Sequence, residues 1–124
     1  MHAGKQGVDS LTDAVAGAAK DSLALLADDT RLKILWVLMQ DEANVGTIAE
    51  LVGAKAPAVS QHLAKLRMAK MVDVRREGTF AYYRACDDHI SRIVADLVEH
   101  TTEELAAQAQ VAALRSRRQP KATR

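Results

Sequence analysis

A chain of 124 residues suits one domain, and with 48% hydrophobic but only 3% aromatic residues its core must rest on Leu, Val, Ile and Ala. The single cysteine excludes an intrachain disulfide framework and fits a reducing cytoplasm; no signal-like run follows Met1, and no apolar run approaches the roughly 20 residues that cross a bilayer. The net charge of +1 conceals segregation, with six basic residues and one acid from Lys55 to Arg76, but six acids and one Arg from Asp87 to Glu104.

Residues 1–9 lack periodicity and read as a flexible N-terminus, residues 10–114 as one folded domain, and residues 115–124 as a basic, disordered tail. Leu11, Ala14, Val15, Ala18, Ser22 and Leu25 recur at helical spacing and predict a first helix from Ser10 to Ala27. Asp28 is the expected N-cap of a second helix, Asp29 to Gln40, that buries Leu32, Leu35, Trp36 and Met39. Thr47 with Glu50 fits a capping box opening a short helix that Gly53 ends. Pro57 stands in the first turn of a fourth helix running to Ala69. Its apolar stripe is Val59, Leu63 and Leu66, which leaves Ala58, Gln61, His62 and Lys65 outward. Period-two alternation then predicts strands Met71 to Arg76 and Thr79 to Arg84 around Glu77-Gly78, and a last helix from Asp87 to Leu114.

The expected fold class is therefore mainly α with a small β-hairpin, in the order α-α-α-α-β-β-α. A short helix, a Gly-containing turn and a second helix with a polar face make a helix-turn-helix, and the basic hairpin adds a wing. Such a second helix enters the major groove of double-stranded DNA, offering Ser60, Gln61 and His62 to base edges with Lys55 and Lys65 on phosphates. Arg75 and Arg76 of the wing would reach the backbone or a minor groove.

His89 and His100 stand eleven residues apart on the last helix, with Asp87 and Glu103 flanking them. Eleven residues return both imidazoles to nearly one face but separate them by about 16 Å along the axis, too far to share one ion. Two antiparallel copies of the helix close the gap, because position 89 of one then lies beside position 100 of the other. The spacing predicts a homodimer with two symmetric sites, each joining Asp87 and His89 of one protomer to His100 and Glu103 of its partner. Two carboxylates and two imidazoles in a closed tetrahedron favour zinc.

The chain resembles the ArsR/SmtB family of metal-responsive winged-helix repressors. The resemblance is carried by LADDTRLKIL (Leu26 to Leu35), IAELVG (Ile48 to Gly53), AVSQHLAKLR (Ala58 to Arg67), the wing RREGT with YYR, and the final Asp-x-His…His-x-x-Glu set. It implies a homodimer joined through its first and last helices that represses an operator when apo and releases it on binding metal. It carries ligand roles to Asp87, His89, His100 and Glu103. The family's cysteine-based site before the recognition helix is absent, since Asn44 to Glu50 holds no cysteine. The resemblance also implies a link from the non-ligating nitrogen of His100 to a backbone carbonyl near Lys70.

Ser60 to Ala69 is similar to the nickel- and cobalt-sensing actinobacterial branch, which makes cobalt and nickel the alternatives to zinc, with His2 as an added ligand. Cys86 adjoins the set and would suit softer metals. A metal-independent winged-helix regulator is the remaining alternative. An enzyme is not expected, because a site of four protein ligands leaves no open position and no His-Glu-x-x-His or Gly-rich phosphate loop is present.

Overall fold

The computed structural model describes residues 9–118, which fall into two compact units divided between Ser91 and Arg92. The expected flexible N-terminus and His2 fall largely or wholly outside the described residues, as do residues 119–124 of the expected tail.

Helix α1 spans Asp13–Leu26 and is capped by Thr12, whose Oγ1 accepts from the Val15 N–H at 3.2 Å. Helix α2 (Asp29–Gln40) has Asp28 as its N-cap, as the sequence predicts, with the carboxylate accepting from Arg31 N–H at 2.9 Å. Its buried residues are Ile34, Leu35 and Leu38, while Trp36 is exposed and Leu32 and Met39 are half-buried. The expected stripe was rotated because residues 34–39 are apolar on every side, so periodicity does not select a face.

Helix α3 (Val45–Val52) begins two residues before the expected capping box: Asn44 is the N-cap and its Oδ1 accepts from Thr47 N–H at 2.9 Å. Asn caps as well as Thr, and Thr47 is the residue whose amide needs the partner. Gly53 ends α3 in the left-handed region at φ 71°, where a Cβ would be strained. Helix α4 (Ala56–Met68) follows after three residues, Gly53 to Lys55, with Pro57 in its first turn. Ile48 and Val52 of α3 and Val59, Leu63 and Leu66 of α4 are buried with the α2 residues, and the three helices pack on one another. Burying each such side chain stabilises the fold by about 1.5–3 kcal/mol before entropy is counted.

The end of α4 is a left-handed cap built on Lys70 (φ 61°), with Met71 N–H donating to Leu66 O and Lys70 N–H to Arg67 O, both at 2.9 Å. Strands β1 (Val72–Glu77) and β2 (Phe80–Ala85) then pair antiparallel with Glu77 opposite Phe80. The turn is therefore Gly78-Thr79, one residue later than expected, with Gly78 at φ 61°. Ala43 pairs with Tyr83 through two backbone hydrogen bonds of 3.0 and 2.9 Å, tying the hairpin to the entry of α3. One paired residue leaves no alternation in the sequence to mark it. Helix α5 runs Asp88–Arg118, four residues into the segment expected to be disordered; Arg115, Arg117 and Arg118 suit a helix C-terminus. No described helix is long and apolar enough to cross a membrane.

Candidate functional site

Helix α4 turns one face to the core and one to solvent. Val59, Leu63 and Leu66 form the inner face, while Ser60, Gln61 and Lys65 are exposed, with Lys55 exposed just before the helix. Ser60, Gln61 and Lys65 thus stand on the outside of a helix seated on the core by its inner stripe, with Lys55 at its N-cap.

His62 departs from the expectation. Its side chain is only 22% exposed and lies at the edge of the inner face. Nδ1 stands 3.3 Å from Arg31 Nη1, and Nε2 stands 4.0 Å from Asp28 Oδ2. Spacing alone placed it outward because position 62 sits on the boundary between the two faces. The Asp28 carboxyl is held below the usual carboxylate value, chiefly by the Arg31 backbone N–H that it caps.

On the wing, Arg75 donates from Nε to Glu42 Oε2 at 3.0 Å and from Nη2 to Oε1 at 2.5 Å, while its guanidinium lies 4.8 Å from the Tyr82 ring centroid. This two-point bond raises the guanidinium above its ordinary value and holds the Glu42 carboxyl below its own. Arg84 pairs with Asp73, its cross-strand neighbour, through Nε to Oδ1 at 2.9 Å. Arg76 is exposed at the wing and is the hairpin arginine left outside these pairs among the described residues.

Asp87 occupies the position before α5 and caps it, with Oδ1 accepting from Ile90 N–H at 3.1 Å and the backbone carbonyl accepting from Ser91 N–H at 2.9 Å. His89 is 86% exposed, and its Nδ1 stands 3.9 Å from Asp87 Oδ1. His100 and Glu103 are exposed one helical segment later on α5. His100 shares a three-four spaced stripe with the exposed Ile93, Leu97, Val111 and Leu114, the repeat of a helix-pairing seam. Among the described residues no three metal-capable side chains of one chain converge.

Cys86 donates its Sγ–H to Lys70 O at 3.4 Å, and its backbone N–H bonds Met71 O at 3.0 Å. Burial, with the Asp73 charge adding, pushes its thiol above the ordinary value.

Residues 28–74, which hold the helix-turn-helix and the start of the wing, match the family described as bacterial regulatory protein, arsR family. The chain is 46% identical over 92 residues to the HTH-type transcriptional regulator KmtR of Mycobacterium tuberculosis, covering 74% of this chain and 71% of that protein. Two solved structures share the fold. The homodimeric winged helix-turn-helix DNA-binding domain Mb0332 of Mycobacterium bovis is 32% identical, with TM-score 0.67 over 76% of this chain and 90% of the other. The antimony-specific transcriptional repressor AntR is 32% identical, with TM-score 0.71 over 78% and 87% of the two chains. With its winged helix-turn-helix, outward polar recognition face and these relatives, this chain is a transcriptional regulator rather than an enzyme and belongs to the arsR family of bacterial regulatory proteins.

Proposed function

We propose that this protein is a metal-responsive repressor that binds operator DNA as a homodimer without metal and is released when zinc occupies two intersubunit sites. Each site takes Asp87 and His89 from one protomer and His100 and Glu103 from its partner. The observation that carries this reading is the eleven-residue separation of two exposed imidazoles on one uninterrupted helix, where the described residues of a single chain bring no three ligands together. The donor set fits the ion: two imidazole nitrogens and two carboxylates match a tetrahedral first-row site, and the cap on Asp87 uses Oδ1 and leaves Oδ2 free to ligate. Cobalt takes the same donor geometry, whereas nickel prefers six ligands and would need further donors.

Two copies are favoured by the apolar faces that the chain leaves exposed. Leu11, Val15 and Leu23 lie at α1, and Ile93, Leu97, Leu105, Val111 and Leu114 lie along α5. The names of two relatives support its coarser parts, one being called homodimeric and the other an antimony-specific repressor. In the dimer Ser60 and Gln61 of each α4 read base edges, and Lys55, Lys65 and Arg76 meet phosphates. Bound zinc supplies a divalent charge shared by donors of both protomers and so fixes the α5 pair in one arrangement. When that arrangement misplaces the two α4 helices relative to half-sites about one DNA turn apart, operator affinity falls. Linkage then requires that DNA weaken metal binding by the same factor, typically about 1–3 kcal/mol.

The test is a titration of zinc, cobalt and nickel into the complex of the protein with a duplex that it selects from a random-sequence pool, at fixed salt. Zinc should release the DNA from the wild type and leave it bound to His89→Gln and His100→Gln, both of which bind the duplex normally without metal. Equilibrium dialysis showing no stoichiometric metal on the wild type would instead establish a metal-independent regulator.

A further inference from the structure

His62 lies within the sequence stretch that should read DNA, yet its ring is turned toward the N-terminus of α2. The chemistry of its partner fixes what it does there. A guanidinium has only donors, so the 3.3 Å contact between Arg31 Nη1 and His62 Nδ1 makes Nδ1 the acceptor and places the ring proton on Nε2. That proton faces the Asp28 carboxylate 4.0 Å away, and the same carboxylate caps α2. Arg31 donates a second time, from Nε to Leu25 O at 2.6 Å, in the last turn of α1. One planar guanidinium therefore spans the end of α1 and the middle of α4.

The placement of Arg31 is unusual for a cation. It stands in the first turn of α2, the end at which the helix dipole disfavours positive charge. The carbonyl end of α1, with its negative partial charge, offsets this, and the His62 ring completes the geometry. A lysine could not hold both acceptors in one plane with fixed directions.

We propose that Arg31 is a positioning residue for DNA reading: it clamps the His62 ring, so that α4 takes its rotation about its own axis from α1. This rests on α4 being the reading helix. A small rotation of α4 moves Ser60 and Gln61 across base edges while leaving Lys55 and Lys65 within reach of phosphate, so the clamp governs selectivity more than general DNA affinity.

The experiment measures binding of the full-length protein to its pool-selected duplex and to an unrelated duplex across a salt series, for Arg31→Ala, His62→Ala, the double variant and His62→Asn. Asn keeps an acceptor at the position of Nδ1. Each alanine variant should bind the selected duplex about tenfold more weakly, the scale of a hydrogen bond to a charged group. The double variant should be no weaker than the worse single one. Binding to the unrelated duplex and the salt slope should not change, and His62→Asn should recover most of the loss. A merely structural role would lower the melting temperature and both affinities together, which overturns the proposal. Additive losses, or a neutral Arg31→Ala beside a His62→Ala that relaxes selection at one base pair, also overturn it by making His62 a direct reader. Failure of the wild type to select any sequence overturns the underlying reading of α4 instead.

Discussion

Alternation along β1 separates Arg75 from Arg76, and the consequences differ. Arg75 turns to Glu42 and Tyr82 and fastens the wing to the segment entering α3, beside the Ala43–Tyr83 backbone pair. Arg76 stays exposed. Arg76→Ala should therefore weaken binding to all DNA sequences alike and reduce the salt slope by about one, read from affinities over a salt series. Arg75→Ala should leave that slope unchanged and loosen the hairpin, read as faster amide exchange at Tyr83. The clamp also carries a pH sign. Arg75 holds the Glu42 carboxyl below its ordinary value of 4.5, so the pairing contributes fully above that value and is lost as pH falls through the lower folded value. Protection of the Arg75 Nε–H, followed by nuclear magnetic resonance, should persist at neutral pH and disappear only at pH below 4.5. Disappearance near neutrality would remove Glu42 as its partner.

The elements follow from local chemistry that sequence carries well where one signal dominates. Asp28 before α2, Pro57 in the first turn of α4, and Gly53 after α3 each need that residue type at that place, and all three were legible. Where two signals compete, the sequence was ambiguous. Asn44 and Thr47 both suit an N-cap, and only the fold chooses Asn44. The apolar run of α2 offers several stripes, and tertiary packing selects Ile34, Leu35 and Leu38. His62 and Arg75 were legible as polar residues near a DNA-reading surface, but their partners Arg31 and Glu42 lie about thirty residues away, beyond any local pattern. Two substitutions test the element assignments by thermal or denaturant unfolding. Asn44→Ala should destabilise the fold by about 1 kcal/mol through loss of the cap. Leu66→Ala should cost about 2–5 kcal/mol, because Leu66 is wholly buried at the end of α4. A loss at Asn44→Thr equal to that at Asn44→Ala would show that the side-chain cap is not what starts α3.

At the scale of the whole molecule, residue types and spacing single out Asp87, His89, His100 and Glu103, and the proposed site requires a second copy of the chain to bring them together. Asp87 and His89 sit at the start of α5, and His100 lies on its exposed apolar seam. Removing the seam's apolar character with Leu97→Glu should convert the dimer to monomer in sedimentation and should abolish stoichiometric zinc binding in the same step. Zinc bound tightly by that monomer would place the site within one chain and end the intersubunit account.

The most direct measurement of the central claim follows fluorescence anisotropy of a selected, labelled duplex bound by wild-type protein and by His100→Gln as zinc is added at constant salt. The account predicts that anisotropy falls to that of free DNA for the wild type, with two zinc ions taken up per dimer, and stays at the bound value for the variant. Release of both proteins at the same zinc concentration, or of neither, would contradict it.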